Sequence, residues 1–291
     1  MICMNPNSQE AVPSRVMTPD PVLRRPMVLL QSMWKDLMNS HGLAHRLFLR
    51  DVKGRFRNSL LGYLWLFLPP LATTLAFVFL NKQQVIRMEG LPVAYPAYAM
   101  LGTLLWQNFA DALQAPLQMA SQNRSMLVRV QFPREALILS GIYQVLFNFA
   151  VRLVLLVPVI VYFKVPVSSS ILWSPVGVLA LILLGTALGV LLTPLGILYK
   201  DVEVGMAMVL GFWMLLTPVV YPPLQSGLGA ELAKWNPVSP LVQTSRDWLL
   251  GQATTTMAPF CWVMGGTLLL LFAGWVLYRV SIPHVIARIG N

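Results

Sequence analysis

The segment from residue 43 to residue 80 sets the tightest limit on the fold. Arg46, Arg50, Lys53 and Arg57 recur at steps of four, three and four, which puts them on one face of a helix. Leu49, Val52, Phe56 and Leu60 keep the same rhythm on a neighbouring face. From Ser59 to Leu80 there is then no charged side chain. A basic amphipathic helix running into an uncharged stretch of this length predicts a helix lying at a bilayer surface, joined to one that crosses it.

Composition extends that reading to the whole chain. Of 291 residues, 56% are hydrophobic and 11% charged, against about 25% charged in a soluble domain. The formal charge of +10 does not point to nucleic acid, because the basic residues lie between apolar stretches instead of forming one patch. Cys3 and Cys261 give no disulfide framework, and His41, His45 and His284 are too scattered for a metal site. Residues 1–40 read as a flexible, Pro-rich cytosolic extension with no secretory h-region, in which Val28–Met38 forms one short surface helix. Residues 41–58 form the interface helix.

Six stretches are long and apolar enough to predict membrane spans: 59–80, 93–113, 136–163, 171–199, 205–221 and 257–278. Pro69, Pro70, Pro158, Pro194 and Pro218 fall inside them and predict kinks. A tight polar turn, Lys200 to Val204, separates the fourth span from the fifth. With both termini cytosolic, fifteen Lys and Arg residues fall inside and five outside (Lys82, Arg87, Lys164, Lys234 and Arg246), with Arg152 within a span. That excess favours an N-in, C-in topology, with a cytosolic tail at 280–291. Residues 222–256 are external yet apolar. They predict two short re-entrant helices, Leu228–Trp235 and Leu241–Leu250, the second capped by Ser239 with Pro240 at its first position. The expected fold is therefore an all-α membrane protein whose transmembrane domain covers residues 59–279.

Catalytic signatures are missing from this pattern. There is no Walker A sequence, no paired-acid metal motif, and no nucleophile in a polar His-Asp setting. Gly185 and Gly189 form a Gly-x-x-x-Gly in an apolar helix, which reads as a close-packing device. The chain reads as a conduit with no chemistry of its own.

Four segments, in order, resemble the permease subunits of type-2 ABC transporters that export cell-surface polysaccharide. The first is Leu49 to Trp65, a basic segment followed by Ser59-Leu60-Leu61-Gly62-Tyr63-Leu64-Trp65. The second is Val128 to Glu135, with Phe132-Pro133-Arg134-Glu135 at its end. Tyr199-Lys200-Asp201-Val202, followed by Leu216-Thr217-Pro218-Val219-Val220-Tyr221-Pro222, makes the third. Asn236-Pro237 and the helix after it make the fourth. The resemblance implies a six-span half-transporter in the bacterial inner membrane that homodimerises and pairs with two copies of a separate ATPase. ATP and magnesium would be bound by that partner, leaving no cofactor on this chain. The implied cargo is lipid-linked polysaccharide of O-antigen, capsule or teichoic acid type.

The same resemblance makes Arg129, Gln131, Phe132, Pro133, Arg134 and Glu135, with Lys200 and Asp201, the expected ATPase contacts. The basic face of Arg46, Arg50, Lys53 and Arg57 is expected to meet anionic lipid headgroups. A moving sugar polymer needs weak, exchangeable contacts, which aromatic faces supply. The candidates are Tyr63, Trp65, Phe67, Trp106, Phe109, Tyr143, Phe147, Phe149 and Trp213; each equally fits core or lipid-facing packing. Arg152, about 24 Å up its helix, has two readings: a cavity-facing contact for phosphate or sugar, or snorkelling to the outer headgroups. Asp111 reads as interfacial. Two other functions stay open at this point. A permease for another amphipathic lipid or small molecule would share the fold. A membrane glycosyl- or acyltransferase would need an acidic metal pair or a buried catalytic His.

Overall fold

In the computed structural model of this chain, residues 26–57, 60–84, 91–166, 168–223 and 227–290 are described; residues 1–25, most of the expected extension, and Cys3 lie outside them. The described residues form helices joined by short turns, with no strand among them. In lipid every backbone group must be paired within the protein, and a helix does this within one segment.

The first helix, α1, runs without a break from Pro26 to Arg57. The expected division into a surface helix at 28–38 and an interface helix at 41–58 is thus corrected. Ser40 lies at the join, fully buried, with its hydroxyl donating to the Asp36 carbonyl one turn back. Met33, Ser40, Ala44 and Leu47 form a continuous buried stripe across the join. That burial offsets the roughly 1 kcal/mol cost of a mid-helix glycine at Gly42.

The stretch expected as the first span also differs from expectation. It opens with a 3-10 turn, Gly62–Leu66, and only then becomes α2, Leu68–Lys82. Pro69 and Pro70 therefore stand in the first turn of α2, where a missing N–H costs nothing, and they make no mid-span kink. The stretch expected as the second span lies in a longer helix: α3 covers Tyr95–Gln122 and passes straight through Asp111. A short α4, Arg124–Arg129, precedes α5, Glu135–Tyr162. A second 3-10 turn, Ser169–Trp173, then leads into α6, Ser174–Leu198. Only Tyr199 and Lys200 separate α6 from α7, Asp201–Leu216, so the predicted polar turn is mostly helix, with Asp201 and Glu203 in the favoured first turn. Pro218 lies beyond the end of α7, not inside a span.

Helices α8, Leu228–Trp235, and α9, Val238–Leu250, match the predicted pair closely. The cap differs. Asn236 Oδ1 accepts the Val238 N–H at 3.0 Å, whereas the Ser239 hydroxyl is buried in the first turn with no partner among the described residues. The last helix, α10, spans Met257–Gly290 and absorbs the expected tail. Among the described residues, three helical segments, Glu135–Tyr162, Ser169–Leu198 and Met257–Arg288, are long and apolar enough to cross a membrane by length and composition.

The core is an α3–α6 pair flanked by α5 and α10. Gly185 and Gly189 permit the central contact. A Cβ on Gly185 would lie 2.7 Å from the Phe109 carbonyl oxygen, and one on Gly189 2.3 Å from that of Leu113. The Gly-x-x-x-Gly reading as a packing device is met in detail.

Candidate coupling surface and transport path

The bundle has two chemically different ends. Leu117 near the end of α3 packs on Gly196 near the end of α6, and the Tyr278 hydroxyl of α10 donates to the Arg134 carbonyl at 3.3 Å. These contacts gather the α3–α5 loop, the α6–α7 turn and α10's last turns at one end. Arg124, Arg129, Arg134, Lys200 and Arg279 are all there, so this is the basic end.

At the basic end the chain from Val128 to Glu135 is graded in burial. Val128, Arg129, Val130 and Gln131 are exposed, Phe132, Pro133 and Arg134 are half-buried, and Glu135 is fully buried. Phe132 packs against the main core, which fixes the strip on the bundle and leaves its tip free. Lys200 and Asp201 are exposed at the α6–α7 turn on the same end. Of the expected contacts, Arg129, Gln131, Lys200 and Asp201 are exposed at this end, whereas Glu135 is corrected to a buried residue that no partner can touch.

Helix α1 is fastened to that surface. Arg50 Nη2 donates to Asn123 Oδ1 at 2.6 Å, and its Nε donates to Asp51 Oδ1 at 2.8 Å. Arg46 and Lys53 are exposed, as a headgroup-facing stripe requires. The side chains of Arg57 and Tyr63 lie outside the described set. A cleft of about 410 Å³ between α1 and the end of α3 is lined by Arg50, Asp51, Gly54, Arg55 and Gln122.

The path aromatics separate into groups. Tyr143 and Phe147 face α1: the Tyr143 hydroxyl is 2.7 Å from His41 Nδ1, and Phe48 meets both rings edge-on, at 6.2 and 5.8 Å. Trp106, Phe109 and Trp213 form one ring cluster between α3 and α7, with Trp106 and Phe109 buried. Phe149 is half-buried against the core, and Phe67 is half-buried at the foot of α2. Trp65, in the 3-10 turn, is exposed.

Both readings of Arg152 are overturned. Its side chain is 5% exposed and its Nη1 lies 2.8 Å from Asp111 Oδ2. Asn148 Nδ2 donates to the same oxygen at 3.0 Å, and Arg152 Nε donates to the Leu66 carbonyl at 3.2 Å. Arg152 is therefore a buried ion paired inside the protein, which neither opens on a cavity nor reaches headgroups. Asp111 is likewise not interfacial, because α3 continues to Gln122 and leaves it in mid-helix.

The opposite end contains a brace that sequence reasoning missed. Fully buried Arg246 of α9 donates to the carbonyls of Pro218 and Val219 at 3.1 and 3.0 Å, with its guanidinium 3.9 Å over the Tyr98 ring. Asn236 accepts from Trp213 Nε1 at 3.0 Å and donates to the Thr217 hydroxyl at 2.8 Å. The Thr217-to-Pro222 and Asn236-Pro237 motifs are therefore two halves of one elbow that ends α7. Next to it, burial raises the Asp247 carboxyl to about 6, against the opposing pull of Arg246. The signal for Arg246 was a cation, one of two with Lys234, in the mostly apolar stretch 222–256.

Residues 44–250 match the ABC-2 type transporter family. The chain belongs to that family. It is 31% identical over 189 residues, 65% of this chain and 71% of the relative, to an O-antigen export system permease protein RfbA of Myxococcus xanthus. An RfbA of the same description from Klebsiella pneumoniae is 25% identical over 205 residues, 68% of this chain and 76% of its own. The polysialic acid transport protein KpsM of Escherichia coli is 23% identical over 244 residues, 80% of this chain and 91% of its own. As an ABC-2 family permease, this chain is a transport subunit and not an enzyme. The matched segment ends at residue 250, so all of α10 and the first half of α1 lie outside it.

Proposed function

We propose that this chain is the permease subunit of an ATP-driven exporter moving lipid-linked polysaccharide, of O-antigen or capsule type, outward across the bacterial inner membrane. It acts as a homodimer that forms the channel, with two copies of a separate ATPase that bind ATP and magnesium. The observation that carries this reading is the coincidence of four ordered motifs with a family match over residues 44–250, among relatives named for O-antigen export and polysialic acid transport.

In this reading the six spans are α2, α3, α5, α6, α7 and α10, the basic end faces the cytosol, and α1 lies along the inner surface. Helices α8 and α9 dip in from outside and return. At about 1.5 Å per residue, α2 and α7 reach only some 22–24 Å, and the 3-10 turn and the Thr217 elbow complete their passage. The ATPase grips the strip Arg129 to Arg134, which buried Glu135 anchors from beneath, together with Lys200 and Asp201, while Arg46, Arg50 and Lys53 meet anionic headgroups. Helix α7 supports the homodimer: it buries Met206 and Leu210 and leaves Val204, Met208, Phe212 and Leu215 uncovered. Trp65, exposed at the entry to span one, is the aromatic best placed for first contact with cargo.

The test is co-purification of the cognate ATPase with wild-type protein and with Phe132→Ala/Arg134→Ala, paired with ATP-dependent appearance of polymer on the far side of reconstituted vesicles. The double variant is expected to lose the ATPase and export together. Undiminished co-purification and export would refute the coupling surface, and a wild-type complex that moves no polymer would refute the cargo.

A further inference from the structure

Helix α10 lies beyond the family-matched segment, yet two of its consecutive residues grip two consecutive residues of the coupling strip. The Tyr278 hydroxyl donates to the Arg134 carbonyl, and Arg279 Nη1 donates to Glu135 Oε1 at 2.7 Å. The other arm of the same guanidinium, Nη2, donates to Asp36 Oδ2 on α1. Asp36 also precedes the matched segment. One side chain thereby joins three helices that meet nowhere near each other in sequence.

Glu135 has no exposure, and its second oxygen has no partner among the described residues, so Arg279 is the cation that makes this buried carboxylate tenable. The planar guanidinium serves two carboxylates at once, one from each arm, in a fixed fork that a compact ammonium lacks. Farther along α5, His41 of α1 meets Tyr143, and Arg152 holds the Leu66 carbonyl at the entry to α2. The strip, α1 and the first turn of span one are thus fastened to α5 at three successive heights.

We propose that Arg279 is a positioning residue for transport, a clamp through Glu135 and Asp36 that makes a force on the Phe132-to-Glu135 strip move α1 and the entry of span one with it. This inference rests on the coupling surface proposed above. Without the Asp36 arm, the partner still docks on the strip, but α1 no longer follows.

The experiment uses the full permease–ATPase complex in vesicles and reads ATP hydrolysed per polymer exported. Asp36→Ala removes the α1 arm and leaves the buried Glu135–Arg279 pair intact. Arg279→Lys keeps the charge beside Glu135 but loses the rigid fork whose second arm reaches Asp36. Each is expected to co-purify with the ATPase at the wild-type level and to hydrolyse ATP, while the ATP used per polymer rises about fivefold or more, the lower range of coupling between sites. Asp36→Glu is expected to restore the wild-type ratio. An unchanged ratio in both variants overturns the clamp. Export lost only in proportion to lost assembly also overturns it, since Arg279 would then merely build the docking surface. A wild-type complex that shows no ATPase association fails the coupling reading instead, which separates the two failures.

Discussion

Replacing Asp111 with leucine should be among the most damaging single changes in the helical bundle, and replacing Arg152 as well should repair it. Asp111 receives bonds from Arg152 Nη1 at 2.8 Å and Asn148 Nδ2 at 3.0 Å. With Asp111→Leu, a guanidinium that is 5% exposed loses its counter-ion. Breaking a buried pair from one side costs about 3–5 kcal/mol. At about 2–4 °C per kcal/mol for a chain of this size, melting falls by roughly 6–20 °C. Arg152→Leu is milder, at about 2 kcal/mol, because Asp111 is one-fifth exposed and keeps Asn148, while the Leu66 carbonyl loses its donor. The double variant removes both charges and should melt within about 1 kcal/mol of wild type, since apolar replacement of a buried pair is often neutral. Thermal unfolding of the four proteins in detergent, followed by tryptophan fluorescence, gives the coupling energy directly. Additive single effects, or an Asp111→Leu protein as stable as wild type, would refute the buried pair. The same double variant tests transport: wild-type export from it assigns Arg152 to the scaffold and not to cargo.

Three further predictions concern the scaffold. Gly102→Ala places a Cβ 1.8 Å from the Val219 carbonyl oxygen, so the elbow must shift; a loss of about 3 kcal/mol or more in detergent melting is expected, and a neutral result contradicts that close approach. Asp247 has its folded pKa raised from 3.8 to about 6, so the folded state holds the proton more tightly; its stabilising contribution is present below 3.8 and is lost as pH rises through about 6. Melting of Asp247→Asn relative to wild type should therefore improve as pH rises across that window, and a flat difference would exclude the burial. Hydrogen exchange should be faster over Asp201–Met208 than over Glu135–Tyr143, and equal protection would contradict the loose attachment of α7.

Legibility in the sequence followed the range of the interactions. Helices α8 and α9 were readable almost to the residue, because Asn236-Pro237 punctuates them locally. The Gly185–Gly189 contact was readable because a four-residue spacing of small residues in an apolar helix has one main use. The exposed strip at Arg129 and Gln131 and the turn at Lys200 were visible as polar breaks between apolar runs. What could not be read was partnership. Arg152 finds Asp111 41 residues away, and Arg279 finds Glu135 at 144 and Asp36 at 243. A scan that weighs each charge by its own neighbourhood assigns such residues to headgroups or cavities. The continuity of α1 was hidden for a related reason: Ser40 and Gly42 weaken the local helix signal, and the packing that overrides them belongs to other helices.

The distribution of these long-range contacts divides the bundle mechanically. Helix α3 buries most of its residues, and α5 is tied at Glu135, Tyr143 and Arg152. Helix α7 is different: it buries Met206 and Leu210, and its polar anchors, Trp213 and Thr217, both lie at the end away from Lys200. Within one protomer, displacing its first turns breaks few buried contacts, whereas displacing the start of α5 exposes a buried carboxylate and pulls α1 with it. A partner that binds the strip and the turn together therefore grips one stiff handle and one compliant one. A force applied between them is resolved almost entirely at the α6–α7 turn. Relative movement of α7 against the α1–α3–α5–α6 body is the cheapest response the fold allows, and the elbow at Thr217, held by Asn236 and Arg246, is the point about which it turns.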